Sequence, residues 1–278
     1  MMLYNQTSTL ISKLITKKYS TSFFWATCML KDEMQNAITS IYGFVRLADE
    51  IVDTFHDYDK SYLLDKFEKD YYESLQHGIS MNPVLHSFQL TVKKYNIPNE
   101  YVQAFLKSMR ADLIQKEYKN KTDFEEYIYG SADVVGLMCL KVFCQGDEKY
   151  FHELEKPAMK LGSAFQKVNF LRDLKNDMEH LDRYYFPEIE KNNFNEVIKK
   201  QVIYQINNDF DLAFEGIKKL PKGAKIAVLL AYFYYKSLLY KIEHTPARKI
   251  MESRIRISDG KKIALLVKSI VAIKLNLI

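Results

Sequence analysis

Apolar residues recur along the chain at intervals of three and four, the period of an amphipathic helix, and sustained strand-like alternation is scarce. Glycine and proline are few, and no Asn-Gly or Asp-Gly hairpin turn stands between two alternating runs. Asp32-Glu33 opens a helical pattern with acids in its first turn, and the pattern runs to about Thr54. A second runs from Asp59 to His77 and closes at Gly78. Asn82-Pro83 and Ile97-Pro98 open segments that extend to about Tyr95 and Glu117. Thr122 to Glu125 has capping-box spacing and starts a helix carrying the small residues between Tyr129 and Gly136. A long pattern follows from about Asp147 to Leu181, with Pro157 as a candidate break, and stops before Pro187. Three more occupy about 193–218, 223–243 and 259–276. With no linker, repeat or low-complexity stretch, residues 1–278 read as a single all-α domain.

Composition adds one unusual feature, 20 Tyr and 17 Phe, which either line an apolar cavity or fill helix interfaces. A net charge of +5 suits an anionic ligand or anionic surface. No dense Lys/Arg block or zinc-finger or RNA-binding signature is present, so nucleic acid is not an expected partner. Three cysteines, at 28, 139 and 144, predict reduced thiols packed in the core and a cytoplasmic setting. Met1 to Tyr19 lacks the apolar core of a signal peptide, and the longest apolar run, Ile226 to Tyr235, is too short to cross a bilayer.

The candidate chemistry lies in the stretch Gln166 to Asp177. On a helix Asn169, Asp173 and Asp177 are spaced i, i+4, i+8 and share a stripe that Gln166 extends by a turn. At about 1.5 Å per residue the stripe is roughly 12 Å long, too long for one metal ion but suited to several hard cations. A second acidic pair, Asp49 and Asp53, shares a face near the end of the first long helix, while Glu50 lies around the helix from it. Leu47, Ile51 and Val52 surround these acids and predict a largely buried helix. Carboxylates about 6 Å apart repel by roughly 3 kcal/mol at an effective dielectric near 20, so facing acids either bind cations or point into water. Two such motifs, each beside an arginine (Arg46 and Arg172), favour cations that hold a diphosphate while its carbon–oxygen bond breaks. Arg254 and Arg256 are further candidates for a phosphate clamp, and the apolar C-terminal pattern from Ile263 is either a core helix or a membrane-docking one.

These residues resemble the head-to-head prenyl synthases, the family of squalene, dehydrosqualene and phytoene synthases. The resemblance rests on Tyr19 to Phe23, Tyr42 to Asp53, Tyr129 to Gly136, Gln166 to Asp177 and Arg183 to Pro187, in that order. It implies a helical bundle around a central apolar cavity and a two-stage reaction through a cyclopropyl diphosphate. It also implies Mg²⁺, with Mn²⁺ as a substitute, on Asp49, Asp53, Asn169, Asp173 and Asp177. By the same resemblance Ser20, Ser22, Tyr42, Arg46, Gln166, Arg172 and Tyr235 bind substrate. Tyr129 and Tyr185 join the acids near the reacting carbons. The expected reaction joins two geranylgeranyl diphosphates into phytoene, with NADPH needed only if the product is squalene. Squalene or dehydrosqualene synthesis from farnesyl diphosphate, a terpene cyclase, and a non-catalytic assembly factor of the same fold are the alternatives. Peripheral membrane contact fits such substrates. The roles of Glu50 and Asp133, the oligomeric state and the chain length accepted stay open.

Overall fold

Helix follows helix through the computed structural model, which describes residues 1–189 and 193–274; the end of the last predicted pattern, 275–276, lies outside them. In order they are α1 (Met2–Tyr19), α2 (Thr21–Thr27), α3 (Asp32–Asp53), α4 (Lys60–His77), α5 (Pro83–Lys94), α6 (Asn99–Ile114) and α7 (Lys121–Ile128). Then come α8 (Val134–Cys144), α9 (Glu148–Glu179), α10 (Glu196–Lys219), α11 (Lys222–Glu243), α12 (Ala247–Glu252) and α13 (Asp259–Lys274). No extended strand occurs among the described residues, so the all-α expectation holds. A continuous apolar core joins the helices, and within it Phe44 stacks on Phe88 and packs at a tilt against Phe105 and Tyr71, so part of the aromatic content fills interfaces.

Local chemistry explains most of the boundaries. Asp59 caps α4 by accepting from the Tyr62 amide, and Gly78 ends it with φ +73, a conformation glycine adopts without steric cost. Asn82 caps α5 in front of its N-terminal proline. One cap differs from the sequence reading: α7 is capped by Asn120, whose side chain accepts from the Asp123 amide, and not from Thr122. Pro157 lies inside α9 and does not end it, the loss of its one N–H bond being small against a 32-residue helix. Cys28 is exposed at the end of α2, which corrects its expected place in the core, while Cys144 is buried.

Two further features escaped the apolar pattern. α1 buries the polar stripe Ser8, Ser12 and Thr16 and turns Leu3, Leu10 and Leu14 outward. Its small side chains let it approach α3 and α5: Ser12 Oγ lies 2.8 Å from Ser87 Oγ, and a Cβ on Gly43 would come within 2.9 Å of Ser12. The second is the continuous helical stretch Lys121–Cys144, long and apolar enough to cross a bilayer, whose most apolar window is 72% buried within the bundle. A π-helical turn at Tyr129–Asp133 joins α7 to α8 inside that stretch. Here the small residues serve close packing. A Cβ on Gly162 of α9 would lie 2.6 Å from the Ala132 carbonyl, and one on Gly136 would lie 2.8 Å from the Ala158 carbonyl.

Candidate active site

Asp49 and Asp53 of α3 face the same cleft as Asn169, Asp173 and Asp177 of α9, because i, i+4 spacing keeps each set on one helical face. The cleft encloses about 490 Å³. Asp49 keeps a third of its side chain accessible, but onto this protein-walled space, where a charge is poorly hydrated. Burial, then the neighbouring Asp53, pushes its carboxyl up to about 8. Burial, followed by Asp173 and Asp53, pushes Asp177 to about 8 as well. Since Asp53 acts on both, the two acidic motifs feel each other's charge.

Arginines answer these acids. Arg46 pairs with Glu50, lies 3.9 Å from Asp49, and rests on the Tyr19 ring at 4.5 Å. Arg172 Nε donates to both oxygens of Asp173 at 3.1 Å, and Arg254 donates from Nη2 to the same carboxylate at 3.3 Å, with its Nε 2.6 Å from the other oxygen. Arg183 Nη1 donates to Asp53 at 2.7 Å. The Arg46 Nε is buried without a hydrogen-bond partner among the described residues. Arg46 lines the cleft, and a guanidinium with a donor left over is suited to an anionic oxygen.

Behind this charged mouth the walls become apolar and aromatic, with Leu140, Phe143, Leu154, Leu161 and Ile217 among them. Tyr235 stacks on Phe165 at 4.0 Å and points its hydroxyl at Asn169 Oδ1, 3.3 Å away. Tyr185 stacks on Phe170 with ring centres 3.8 Å apart. Ser20, Tyr42 and Gln166 also line the cleft. Ser20 serves twice, since its side chain accepts from the Phe23 amide at 3.4 Å to cap α2.

Two expected site residues lie elsewhere. Ser22 lines a separate groove of about 300 Å³ with Trp25, Tyr234 and Lys262, because it is two residues beyond the cap and on another face of α2. Tyr129 is 37% exposed and does not reach the cleft; the π-helical turn that begins there shifts the helical register. Glu50 is turned to Arg46 and the Thr54 hydroxyl, so it orients an arginine and does not line the cleft. Asp133 accepts from Ser163 Oγ at 2.6 Å between the π turn and α9, with burial pushing it up to about 6. Of the two late arginines only Arg254 reaches the cleft.

Asp112 belongs to none of the sequence motifs. It sits in the last turn of α6, buried, and accepts from the Tyr127 hydroxyl at 2.9 Å and the Tyr185 hydroxyl at 3.4 Å. Its own carbonyl accepts from Arg183 Nη2 at 3.0 Å. Tyr184 bonds through its amide to the Lys116 carbonyl at 2.7 Å, clipping the segment after α9 to the loop after α6 and holding Arg183 and Tyr185 in place. A signal for Asp112 existed. It continues the buried stripe Val102, Phe105, Leu106 and Met109, an acid where the helical period calls for an apolar residue.

The raised carboxyls bear on stability. Burial, opposed by Arg183, pushes Asp112 up to about 7. With Asp49 and Asp177 near 8, the folded chain without metal holds protons that the unfolded chain releases near pH 4. Stability is therefore present at low pH and is lost as pH rises through the window from about 4 to about 8. Urea melts in a chelator should have a lower midpoint at about pH 8.5 than at about pH 5, and the reverse order would mean that these acids ionise freely in the cleft.

The fold is thus a helical bundle around a cleft with a charged mouth and apolar walls. The chain belongs to the squalene/phytoene synthase family, whose model matches residues 16–261. It is 26% identical over 268 residues to phytoene synthase 1 of Zea mays, covering 90% of this chain and 64% of that protein. The chain thus spans a little under two thirds of the plant relative's length. It is 23% identical to the 4,4'-diapophytoene synthase of Staphylococcus haemolyticus, covering 89% of this chain and 91% of that one. Among solved structures, a dehydrosqualene synthase in complex with ligand superposes with a TM-score of 0.84 at 23% identity, covering 97% and 98% of the two chains. A squalene synthase from Alicyclobacillus acidocaldarius superposes at 0.74 with 18% identity, covering 91% and 97%. At these identities the superpositions establish the fold.

Proposed function

We propose that this protein condenses two prenyl diphosphates head to head, and specifically two geranylgeranyl diphosphates to phytoene through a cyclopropyl diphosphate. The observation that carries the reading is the pairing of two acidic stripes and their arginines at the mouth of one apolar cleft. The plant relatives named phytoene synthases support the C20 substrate, and the relative named diapophytoene synthase supports the C15 alternative.

Among the described residues no three acidic, His or Cys side chains converge on one metal position. The all-oxygen set that lines the cleft, Asp49, Asp53, Asn169, Asp173 and Asp177, fits Mg²⁺, which commonly takes one or two carboxylates and completes its shell with phosphate oxygens and water. Asp49, Asp53, Asn169, Asp173 and Asp177 would hold it, with Mn²⁺ as a substitute. When bound it neutralises the diphosphate so that the carbon–oxygen bond breaks with the electron pair on oxygen. Arg46 offers its free Nε to the same anion, and Arg172 and Arg254 exchange Asp173 for phosphate oxygens. Phe165, Phe170, Tyr185 and Tyr235 present aromatic faces to the cation and exclude water from it. Across the two stages two diphosphates leave and two protons are lost, with diphosphate oxygens as the acceptors, so no reductant is consumed. The protein would act in the cytoplasm in peripheral contact with a membrane, where the exposed Ile263, Val267 and Val271 of α13 meet lipid. Co-sedimentation with liposomes tests that placement, and a chain left wholly in the supernatant would refute it.

The purified chain with Mg²⁺ and either farnesyl or geranylgeranyl diphosphate tests the reaction. A C40 hydrocarbon with two diphosphates released per molecule is expected. C30 hydrocarbon alone would replace phytoene by dehydrosqualene or squalene, a product from one prenyl chain would indicate a cyclase, and no turnover would favour a non-catalytic role.

A further inference from the structure

Asp112 is an expensive residue where it stands. It is a buried acid in the last turn of α6, where the negative end of the helix dipole opposes its charge. Yet its two oxygens are both used, one on Tyr127 and one on Tyr185, and its backbone carbonyl holds Arg183. Arg183 in turn reaches both Asp53 and, at 3.2 Å, the Tyr185 hydroxyl. Asp112, Tyr127, Arg183 and Tyr185 all line the cleft where its charged mouth meets the aromatic wall. A carboxylate is the only common side chain that accepts two hydroxyl bonds while carrying a charge opposite to the nearby guanidinium.

We propose that Asp112 is a positioning residue that decides how the carbocation is discharged, by fixing the Tyr185 and Tyr127 hydroxyls at the seam between diphosphate site and cavity. The proposal rests on the prenyl-transfer reading of the site. Each ionisation breaks a carbon–oxygen bond, and diphosphate leaves with the electron pair. The cation then either loses a proton to a diphosphate oxygen on the way to hydrocarbon, or adds water to give an alcohol and a free proton. With Asp112 in place, Tyr185 is held against Phe170 and the seam stays closed to water. With the side-chain anchor loosened, ionisation continues, since Arg183 keeps its bonds to the residue-112 carbonyl and to Asp53, but the cation meets water.

The test is the ratio of hydrocarbon formed to diphosphate released by the full chain with Mg²⁺ and geranylgeranyl and farnesyl diphosphates in separate assays. Asp112→Asn is expected to leave diphosphate release within about threefold while the ratio falls at least about tenfold and prenyl alcohols make up the difference. A loss of folded protein would lower both quantities equally and leave the ratio unmoved. Tyr185→Phe should give a similar fall, and the double variant should fall no further, because the two residues act through one hydrogen bond. If Asp112→Asn fails to accumulate as folded protein, Tyr127→Phe with Tyr185→Phe removes both bonds and leaves the carboxylate. An unchanged ratio in that pair would overturn the proposal. So would an unchanged ratio in Asp112→Asn, or effects of Asp112→Asn and Tyr185→Phe that multiply. No diphosphate release by the unaltered chain would overturn the reading of the site and this proposal together, whereas release with an unmoved ratio overturns this proposal alone.

Discussion

Asp173→Asn is expected to slow diphosphate release by about 10²–10³-fold, the loss typical when one preorganised electrostatic contact to a developing charge is removed. The substitution keeps side-chain volume, so its effect is electrical. Asp173 is the point where Arg172 and Arg254 meet, and it is the central member of the α9 stripe. Its neutralisation removes a candidate cation ligand and frees two guanidinium groups to close on each other's space. Steady-state release of diphosphate with saturating Mg²⁺, alongside an unchanged far-UV circular dichroism spectrum, is the measurement. Asp49→Asn should behave similarly from the other wall. Turnover that survived both changes would remove the metal-site reading altogether.

Arg183→Leu should be the most damaging single change to stability, costing about 3–5 kcal/mol, as expected when one partner of a buried charge network is deleted. Arg183 is 6% exposed and holds Asp53, the Tyr185 hydroxyl and the last turn of α6. Without it Asp53 and Asp112 face one another with no cation between them, and a carbonyl at the end of α6 loses its donor. Urea denaturation would show a lower midpoint with an unchanged slope. Adding Asp53→Asn to Arg183→Leu should recover part of the loss, because it removes one of the acids left unpaired. A double variant less stable than the single one would show that charge compensation is not what Arg183 provides.

The candidate site was legible where its geometry is local. Asn169, Asp173 and Asp177 fall on one stripe through helical spacing alone, and Asp49 and Asp53 follow the same rule. Ser22 and Tyr129 show the limit of placing residues by motif, since one helical face or one π-helical turn separates a cleft residue from a neighbour in the same motif. The cap at Asn120 shows it on a smaller scale. Asn120 and Thr122 both carry capping side chains, and the helix start is chosen by the fold around the Tyr118 to Tyr184 contact. α1 went unrecognised because its packing face is the polar stripe Ser8, Ser12 and Thr16, while Leu3, Leu10 and Leu14 lie on the outward face.

By itself the sequence determined that this protein is of the all-α class, that two acidic stripes exist, and that aromatic residues are abundant enough to wall a cavity. These follow from spacings of three and four residues, which backbone geometry converts directly into shared faces. Tertiary structure decided which charges oppose which. Arg183 and Asp53 are 130 residues apart in the chain and 2.7 Å apart in space, and Asp112 acquires its partners only when α6 meets the segment after α9. Such pairings are set by how helices pack, and no local period encodes them.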